Sequence, residues 1–392
     1  MEILPRTLGT RPRLACEVRA EGVVAARAED ASAVLSAVVR VPLEDGVAVP
    51  HLRTGEAGVT VASGIGNSAA NGIVGGVTGG AAGRAKLVTA LRSALEQVCV
   101  RTREVTVVVP DAAVRVLLLD FDELPAKPAE ALPVVRFRLK KLLPFDADDA
   151  AVSYQVMAAS RGMVQVMAVA MPREVLADYE SVVREAGFEP GAVMPSTLAA
   201  LAGLNESEVP MLVVNAGRDG VTTAIVKGGV LLLHRTVDLG ADLPGESRGA
   251  DAIAGHAMQL PEETGIAAIA ARLAAAGGHA PVDGARAPAI AAETVIDDGT
   301  ATPTGEVAQA VSVAAAYFED TLETVPAVVL AAGTLGAEAL MRVLDGAYLG
   351  LGTVAVQELV ERQMLGPGAA SAGMAGGVPL GWLAGVRGAL AN

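Results

Sequence analysis

The sequence predicts a duplicated α/β protein whose two domains face one another across a cleft, and three observations predict it. The chain is 392 residues long, enough for two substantial cores. A three-strand meander is written twice, clearly at Met211 to Leu239 (MLVVNAG, RDG, VTTAIVK, GG, VLLLHRTVDL) and more faintly at Arg13 to Leu43 (RLACEVR, AEG, VVAARAE, DAS, AVLSAVVRVPL). Its turns carry Gly220, the Gly228-Gly229 pair and Gly22, residues able to take the positive φ of tight hairpins. Strand and helix patterns alternate after each copy, as a layered α/β body requires.

Composition narrows the function classes. Hydrophobic residues make up 52% of the chain but aromatics only 3%, so the cores are built from Ala, Val and Leu. The net charge of −14 argues against nucleic acid as a partner, because phosphate binding needs a basic surface. Cys16 and Cys99 are the only cysteines; Cys16, inside the first strand, reads as a buried reduced thiol. The opening residues MEILPRTLGTRPRLA lack an apolar signal core, and no segment reads as a membrane span. A cytoplasmic protein is expected.

Taken in order, residues 63–83 hold eight glycines and no charge and read as a flexible surface loop before a helix over 86–98, with Leu87, Leu91 and Leu95 on one face. Within that loop, Gly64-Ile65-Gly66-Asn67-Ser68-Ala69 matches a dinucleotide-binding GxGxxA. The residues that follow are poor helix formers, which counts against that reading. VTVVV (105–109) and RVLLLDF (115–121) are strands. A helix follows over 128–143, with Pro133 in its first turn, Val135, Leu139 and Leu142 inward, and Pro144 as its stop. Strands over 151–157 and 163–171 precede a helix over 173–187, its apolar face set by Leu176, Tyr179 and Val183 and its end by Gly187. Beyond the second meander, 241–304 reads as a variable insertion with one helix at 261–275. A helix over 306–323, strand 327–331, a turn at Ala332-Gly333-Thr334 and another helix come next. The remainder reads as a loose Gly/Ala tail.

A strand, a Gly turn and a strand around Asn215 and Gly217 make the shape of a phosphate cradle, to which Thr222 and Thr223 can add hydroxyl donors. Gly333 and Thr334, between strand and helix, could receive a nucleoside at a helix N-terminus. These six residues are the candidate cofactor site, for ATP with Mg²⁺. The carboxylates that hydrated Mg²⁺ needs are not in place. Asn215 is a neutral amide, and the first hairpin has Glu17-Val18-Arg19, with no glycine. Asp219 and Asp238 are possible substitutes that read more simply as turn and surface residues. No catalytic residue and no metal site are assigned, and hydrolysis is not expected. The four histidines are scattered, His234 reading as a strand residue.

The order VTVVVPDAAVRVLLLDFDELP, RFRLKKLLPFDADDAAVSYQVM, MVQVMAVAMPREVLADYESVVREAGFEPGAV resembles the PilM-type proteins of type IV pilus assembly. These are actin-like relatives of FtsA and of the cytoplasmic domain of the type II secretion L protein. Leu124-Pro125, Leu143-Pro144-Phe145, Ser153 to Val156 and Ala186-Gly187 carry the likeness, followed by LVVNAG, AYFEDTLE and VVLAAGTLG. The resemblance implies an actin-like (duplicated RNase H-like) two-domain fold with an FtsA/PilM-type extra subdomain. The implied division is a first actin-like subdomain at 1–104, the extra subdomain at 105–188, a second actin-like domain at 189–350, and a segment at 351–392 returning to the first domain. It also implies a scaffold of the inner-membrane platform, peripheral to the membrane through its partners. Those partners would be the N-terminal tail of a PilN-like bitopic membrane protein and other pilus platform proteins. Phe137, Arg138, Lys141 and Phe145 are the candidate partner surface, on a helix whose basic face (Arg136, Arg138, Lys140, Lys141) stands out in an acidic chain. The alternative is an active actin-like ATPase or sugar-kinase-like phosphotransferase.

Overall fold

Both meanders fold as written. In the computed structural model, β1 (Leu14–Arg19), β2 (Gly22–Ala28) and β3 (Leu35–Pro42) form the first, and β9 (Met211–Ala216), β10 (Gly220–Lys227) and β11 (Val230–Asp238) the second. The β10–β11 turn has Gly228 at φ 56° and Gly229 at φ 72°, conformations that explain the glycine pair. The structure describes residues 12–30, 32–44, 47, 49–52, 80–160, 162–239, 304–347, 354–369 and 378–391. These fall in one compact unit, Met1–Gly240 with Ala301–Asn392. The insertion predicted at 241–304, with its helix at 261–275, lies outside the described residues up to 303, as does the loop over 63–79 with its GxGxxA; Thr304 opens the next helix.

Each meander is completed by two parallel strands in the same order. The first sheet runs β3-β2-β1-β4-β8, with β4 (Glu104–Val109) and β8 (Glu189–Pro195). The second runs β11-β10-β9-β12-β13, with β12 (Val328–Gly333) and β13 (Ala355–Glu358). Glu17 registers with Val108 on β4, and Asn215 with Ala332 on β12, so the two residues hold equivalent places in a duplicated fold.

Alternation along the strands sorts the cores into layers. Outside the first sheet, α1 (Gly80–Val98) and α3 (Arg173–Glu185) bury Leu87, Leu91, Leu95, Tyr179 and Val183 against Cys16 and Val18. Outside the second, α5 (Thr304–Leu322) and α6 (Ala337–Gly346) bury Val311, Phe318 and Leu340 against Val214 and Ile225. A central cluster joins the inner faces of both sheets through α4 (Ser196–Ala202) and α7 (Leu383–Leu390), taking in Ala15, Val108, Val213, Ala224, Leu198 and Leu383. The Cys16 thiol is pushed up to about 12 by burial and by neighbouring Glu17.

Five expectations change. β4 and β8 belong to the first sheet, and α3 packs on it, so the added unit is narrower than 105–188. It consists of β5 (Arg115–Phe121), β6 (Ala150–Ser160) and β7 (Met163–Pro172), in order β5-β7-β6, with α2 (Pro128–Leu139) laid across them. An apolar run such as VTVVV carries no mark of which sheet it joins. Pro133 sits inside α2 rather than in its first turn. That helix ends at Leu139 and tightens before Pro144 through Leu142 N–H to Leu139 O at 2.9 Å, which turns Leu142 out to solvent. Residues 80–85, in the predicted loop and just after it, are the start of α1. The supposedly loose tail ends in the fully inserted helix α7. Its small residues are what a helix pressed between two sheets requires: a Cβ at Gly385 would stand 2.5 Å from Glu17 Oε2.

Candidate functional site

The end of β1 puts Glu17 and Arg19 on the sheet's inner face, two residues apart and both buried. A charged pair in that setting must be satisfied internally. Arg19 Nε donates to Glu17 Oε1 at 2.7 Å. Its Nη2 donates to Ser196 Oγ at 2.6 Å and to Asn215 Oδ1 at 2.7 Å. Ser196 Oγ donates in turn to Glu17 Oε1 at 2.7 Å. Asn215 Nδ2 faces Ser196 Oγ and Thr197 Oγ1, each at 2.9 Å, and Asp111 Oδ2 at 3.3 Å. Asp111 also accepts from the Thr197 hydroxyl at 2.5 Å and its backbone N–H at 3.1 Å. The network therefore runs from one half of the duplicated fold to the other, through the start of α4.

The hairpin turns close over it. Glu21, in the β1–β2 turn, has its Oε1 2.5 Å from Thr334 Oγ1 and 2.7 Å from the Arg218 backbone N, so it accepts from both turns of the second half. Arg19 Nη1, Glu21 Oε1 and Thr334 Oγ1 each lie 3.1 Å from the place a Cβ at Gly217 would occupy. In the internal repeat Arg19 stands where the second copy has Gly217, and its side chain uses the space that glycine leaves. Gly333, at φ 85°, brings β12 so close that its Cβ would meet Asn215 Oδ1 at 2.6 Å.

Electrostatics follow from this packing. Burial pushes the Glu17 carboxyl up, against Arg19 and the Ser196 hydrogen bond. Burial opposes charge on Arg19 too, but Glu17 and Glu21 hold its guanidinium above the ordinary value. At Glu21 burial raises the pKa, yet Arg19, Thr334 and the Arg218 N–H outweigh it and the carboxyl sits below its usual range. Asp219 is raised by burial and by Glu21. A depressed carboxylate contributes stability that is present above its unfolded pKa and lost as pH falls through the folded value. The gap in unfolding free energy between wild type and Glu21→Gln is thus expected to be widest near neutrality and to narrow below about pH 4. Parallel denaturant titrations across pH check this; a gap constant into acid would refute it.

Of the predicted cofactor residues, Asn215, Gly217 and Thr222 line the cleft with Arg19, Glu21 and Asp111. Gly333 and Thr334 close its far side. Thr223 does not reach it: one residue along β10 from Thr222, it shares the face of Val221 and Ile225, which pack under α5. Thr222 Oγ1 pairs with Thr236 Oγ1 at 3.0 Å. Asp219 lines the cleft, whereas Asp238 faces Arg115 at 3.6 Å. Arg19, Glu21, Asp111, Ser196 and Thr197 were missed as site residues. The one local signal was Glu17 and Arg19, two charges on one face of an otherwise apolar strand.

Donors that a nucleotide's phosphates would use are met within the chain. The Arg218 N–H and Thr334 hydroxyl meet Glu21. The Thr334 and Leu335 N–H groups bond Ala216 O at 2.9 and 3.1 Å. The N-terminus of α6 is capped by a second internal carboxylate, Ala337 N–H donating to Glu358 Oε1 at 2.8 Å. Among the described residues no three His, Cys, Asp or Glu side chains group as metal ligands.

The partner candidates lie on α2 and just beyond it. Phe137 is 68% exposed, and Arg138 and Lys141 are exposed beside it. Val134 and Leu142 extend this into an outer stripe at helical spacing. Arg136 is turned to the Ala147 and Ala150 carbonyls, and Lys140 pairs with Asp148 at 2.5 Å. Phe145 is half-buried and packs against both the α2 cluster and the cluster outside the first sheet, so it joins the added unit to the body.

No family model and no curated protein sequence matches this chain. Solved structures do. A structure titled PilM-PilN type IV pilus biogenesis complex has a chain 16% identical with TM-score 0.61, the match covering 97% of this chain and 98% of that one. The cytoplasmic domain of EpsL, an inner membrane component of the type II secretion system of Vibrio cholerae, is 13% identical over 86% of this chain and 94% of that one, with TM-score 0.39. The ethanolamine utilization protein EutJ of Carboxydothermus hydrogenoformans is 12% identical over 97% and 89%, with TM-score 0.38. The first likeness and the duplicated sheet order establish an actin-like fold.

Proposed function

We propose that this chain is an actin-like scaffold that works by binding rather than turnover, in the inner-membrane platform of a type IV pilus or related secretion system. The observation that carries this reading is the cleft. Its anion donors are met by the chain's own Glu21 and Glu358, and Arg19 fills the first hairpin where an open glycine turn would be needed. Neither Mg²⁺-ATP nor hydrolysis is part of the proposed activity. Among the described residues no helix is long and apolar enough to cross a membrane, in keeping with a cytoplasmic protein held at the membrane face by its partners.

The proposed partner is the N-terminal tail of a PilN-like bitopic membrane protein, with other platform proteins assembling around it. Support comes from the end-to-end fold likeness to a chain solved in a PilM–PilN complex and from the outer stripe of α2. An exposed phenylalanine flanked by Arg138 and Lys141 offers an apolar anchor with a basic rim. Burying Phe137 under a peptide is worth roughly 2 kcal/mol, more than tenfold in affinity. Phe137→Asp is therefore expected to weaken capture of a peptide from the N-terminal tail of a PilN-like membrane protein of the same organism by at least about tenfold, with an unchanged thermal midpoint. Fluorescence anisotropy with the labelled peptide measures this. A wild-type protein that ignored the peptide, or released phosphate from Mg²⁺-ATP, would overturn the reading.

A further inference from the structure

A bulge in β11 decides which side chains that strand turns toward the added unit. Ile225 pairs with Leu233 and Val226 with Leu231, so Leu232 is an extra residue. Counted straight along the strand from the inward-facing Leu231, His234 would point out; the extra residue turns His234, Thr236 and Asp238 to the inner face. That face is a seam. At one end Asp238 faces Arg115 of β5 at 3.6 Å. Thr236 comes next and shares the cleft lining with Asp111 and Ala112. At the other end Leu231 enters the cluster of Val116, Met157 and Met167, from all three strands of the added unit. His234 lies between these contacts.

The Nε2 of His234 is enclosed and has no hydrogen-bond partner, while the ring is held by the backbone of its own residue. Asp111 acts on the ring by its charge, but its oxygens are committed to the Thr197 N–H and hydroxyl and to Asn215 Nδ2. The other charged or titratable groups on the packed elements are turned elsewhere. Arg115 faces Asp238, Tyr154 of β6 packs toward α2, and Arg235 and Lys227 are exposed. Outside the seam, His51 acts on Asp219 and Asp238.

We propose that His234 is a proton-sensitive latch on this seam: neutral, it lets β11 and the added unit close, and protonated, it drives them apart. A proton on Nε2 would be a charged donor enclosed without an acceptor. Burial accordingly holds the His234 pKa below its ordinary value, against the pull of Asp111. A depressed imidazole contributes stability that is full above its ordinary pKa and lost as pH falls from there toward the folded value. Asp219 and Asp238 are raised by burial and favour the closed form when protonated, so they work in the opposite sense. Glu21 is depressed and titrates in stronger acid. Because the seam fastens the unit that carries α2, the latch sets how firmly Phe137 is mounted on the body. This goes beyond the scaffold reading, and either can fail without the other.

The test is hydrogen–deuterium exchange of the full chain, corrected for the intrinsic pH dependence of amide exchange. Peptides covering β5 and β11 report the seam, and β1 and β4 are the internal reference. Going from about pH 7.5 to about pH 5.5, the wild-type seam is expected to open at least about threefold and up to about tenfold more often, since an open seam takes up the proton near the ordinary histidine value of about 6.5. His234→Phe keeps a ring of similar size that takes no proton, and is expected to abolish the change. His51→Gln is expected to leave it intact. Should His234→Phe not fold, the neutral His234→Gln makes the same comparison. An unchanged wild-type seam, the same response in His234→Phe or His234→Gln, its loss in His51→Gln, or equal acceleration over β1 and β4 would each overturn the proposal.

Discussion

Gly388→Ala is expected to lower the free energy of unfolding by about 3 kcal/mol, the upper part of the range for overpacking a tight interior. The reason lies in how closely two short helices cross. A Cβ at Gly388 would fall 2.8 Å from the Ala199 carbonyl carbon and 3.0 Å from the Gly203 nitrogen, and nearer still to the Ala199 oxygen. These are backbone atoms, so no rotamer change relieves the overlap, and α7 and α4 must move apart. That separation opens the central cluster shared by both sheets. It also strains the bond from Arg387 Nη1 to the Gly203 carbonyl, 2.8 Å long. Gly346→Ala is the matched control. It ends α6 with nothing within 4 Å of the added carbon, and is expected to stay within about 0.5 kcal/mol of wild type. Urea unfolding of the three proteins decides; a Gly388→Ala loss as small as the control's would show that the crossing yields easily.

The same helix marks the limit of what the sequence discloses. The meanders were legible because alternation, β-branched residues and Gly turns are local signals, and β1–β3 and β9–β11 fall where those signals put them. The helix GWLAGVRGAL reads as a loose tail for the converse reason. Gly385 and Gly388 weaken a helix in isolation, and only the closeness of Glu17 and Ala199 makes them necessary. α4 and β8, in GFEPGAVMPSTLAALAG, were likewise unread, since each is defined by what it packs on rather than by its own pattern. At the site, Asn215, Gly217 and Thr222 could be named because a strand–turn–strand motif is contiguous. Their partners could not. Asp111, Ser196 and Thr197 reach Asn215 from the turn just after β4 and from α4, and no spacing in the chain announces that meeting. Thr223 failed on strand parity alone: one residue of β10 separates the cleft face from the face under α5.

Breaking the buried pair at the first hairpin is expected to cost more than any surface change. Arg19→Met keeps the length and apolar stem of the side chain but removes the only guanidinium bonded to Glu17 among the described residues, leaving a fully buried carboxylate. Removing one partner of a buried ion pair costs about 3–5 kcal/mol, mainly through the charge left behind. Two further groups lose a donor at the same time, Asn215 Oδ1 and Ser196 Oγ, and Glu21 loses the positive charge that opposes its burial. The loss should depend on pH in a definite sense. Without Arg19 the Glu17 pKa, already raised by burial, rises further. A raised carboxylate favours the folded state when protonated, so Arg19→Met should regain stability as pH falls, while the depressed Glu21 of wild type works in the opposite direction. The double variant Glu17→Gln/Arg19→Met removes the stranded charge and should recover a good part of the loss, giving a coupling energy between the two sites of about 1–3 kcal/mol in a double-mutant cycle. Denaturant titrations of the four proteins at two pH values measure every term. If Arg19→Met unfolded within about 1 kcal/mol of wild type, or the double variant were no better than the single one, Arg19 would not be the residue that neutralises the cleft, and the case for a filled rather than a nucleotide-bearing hairpin would fall with it.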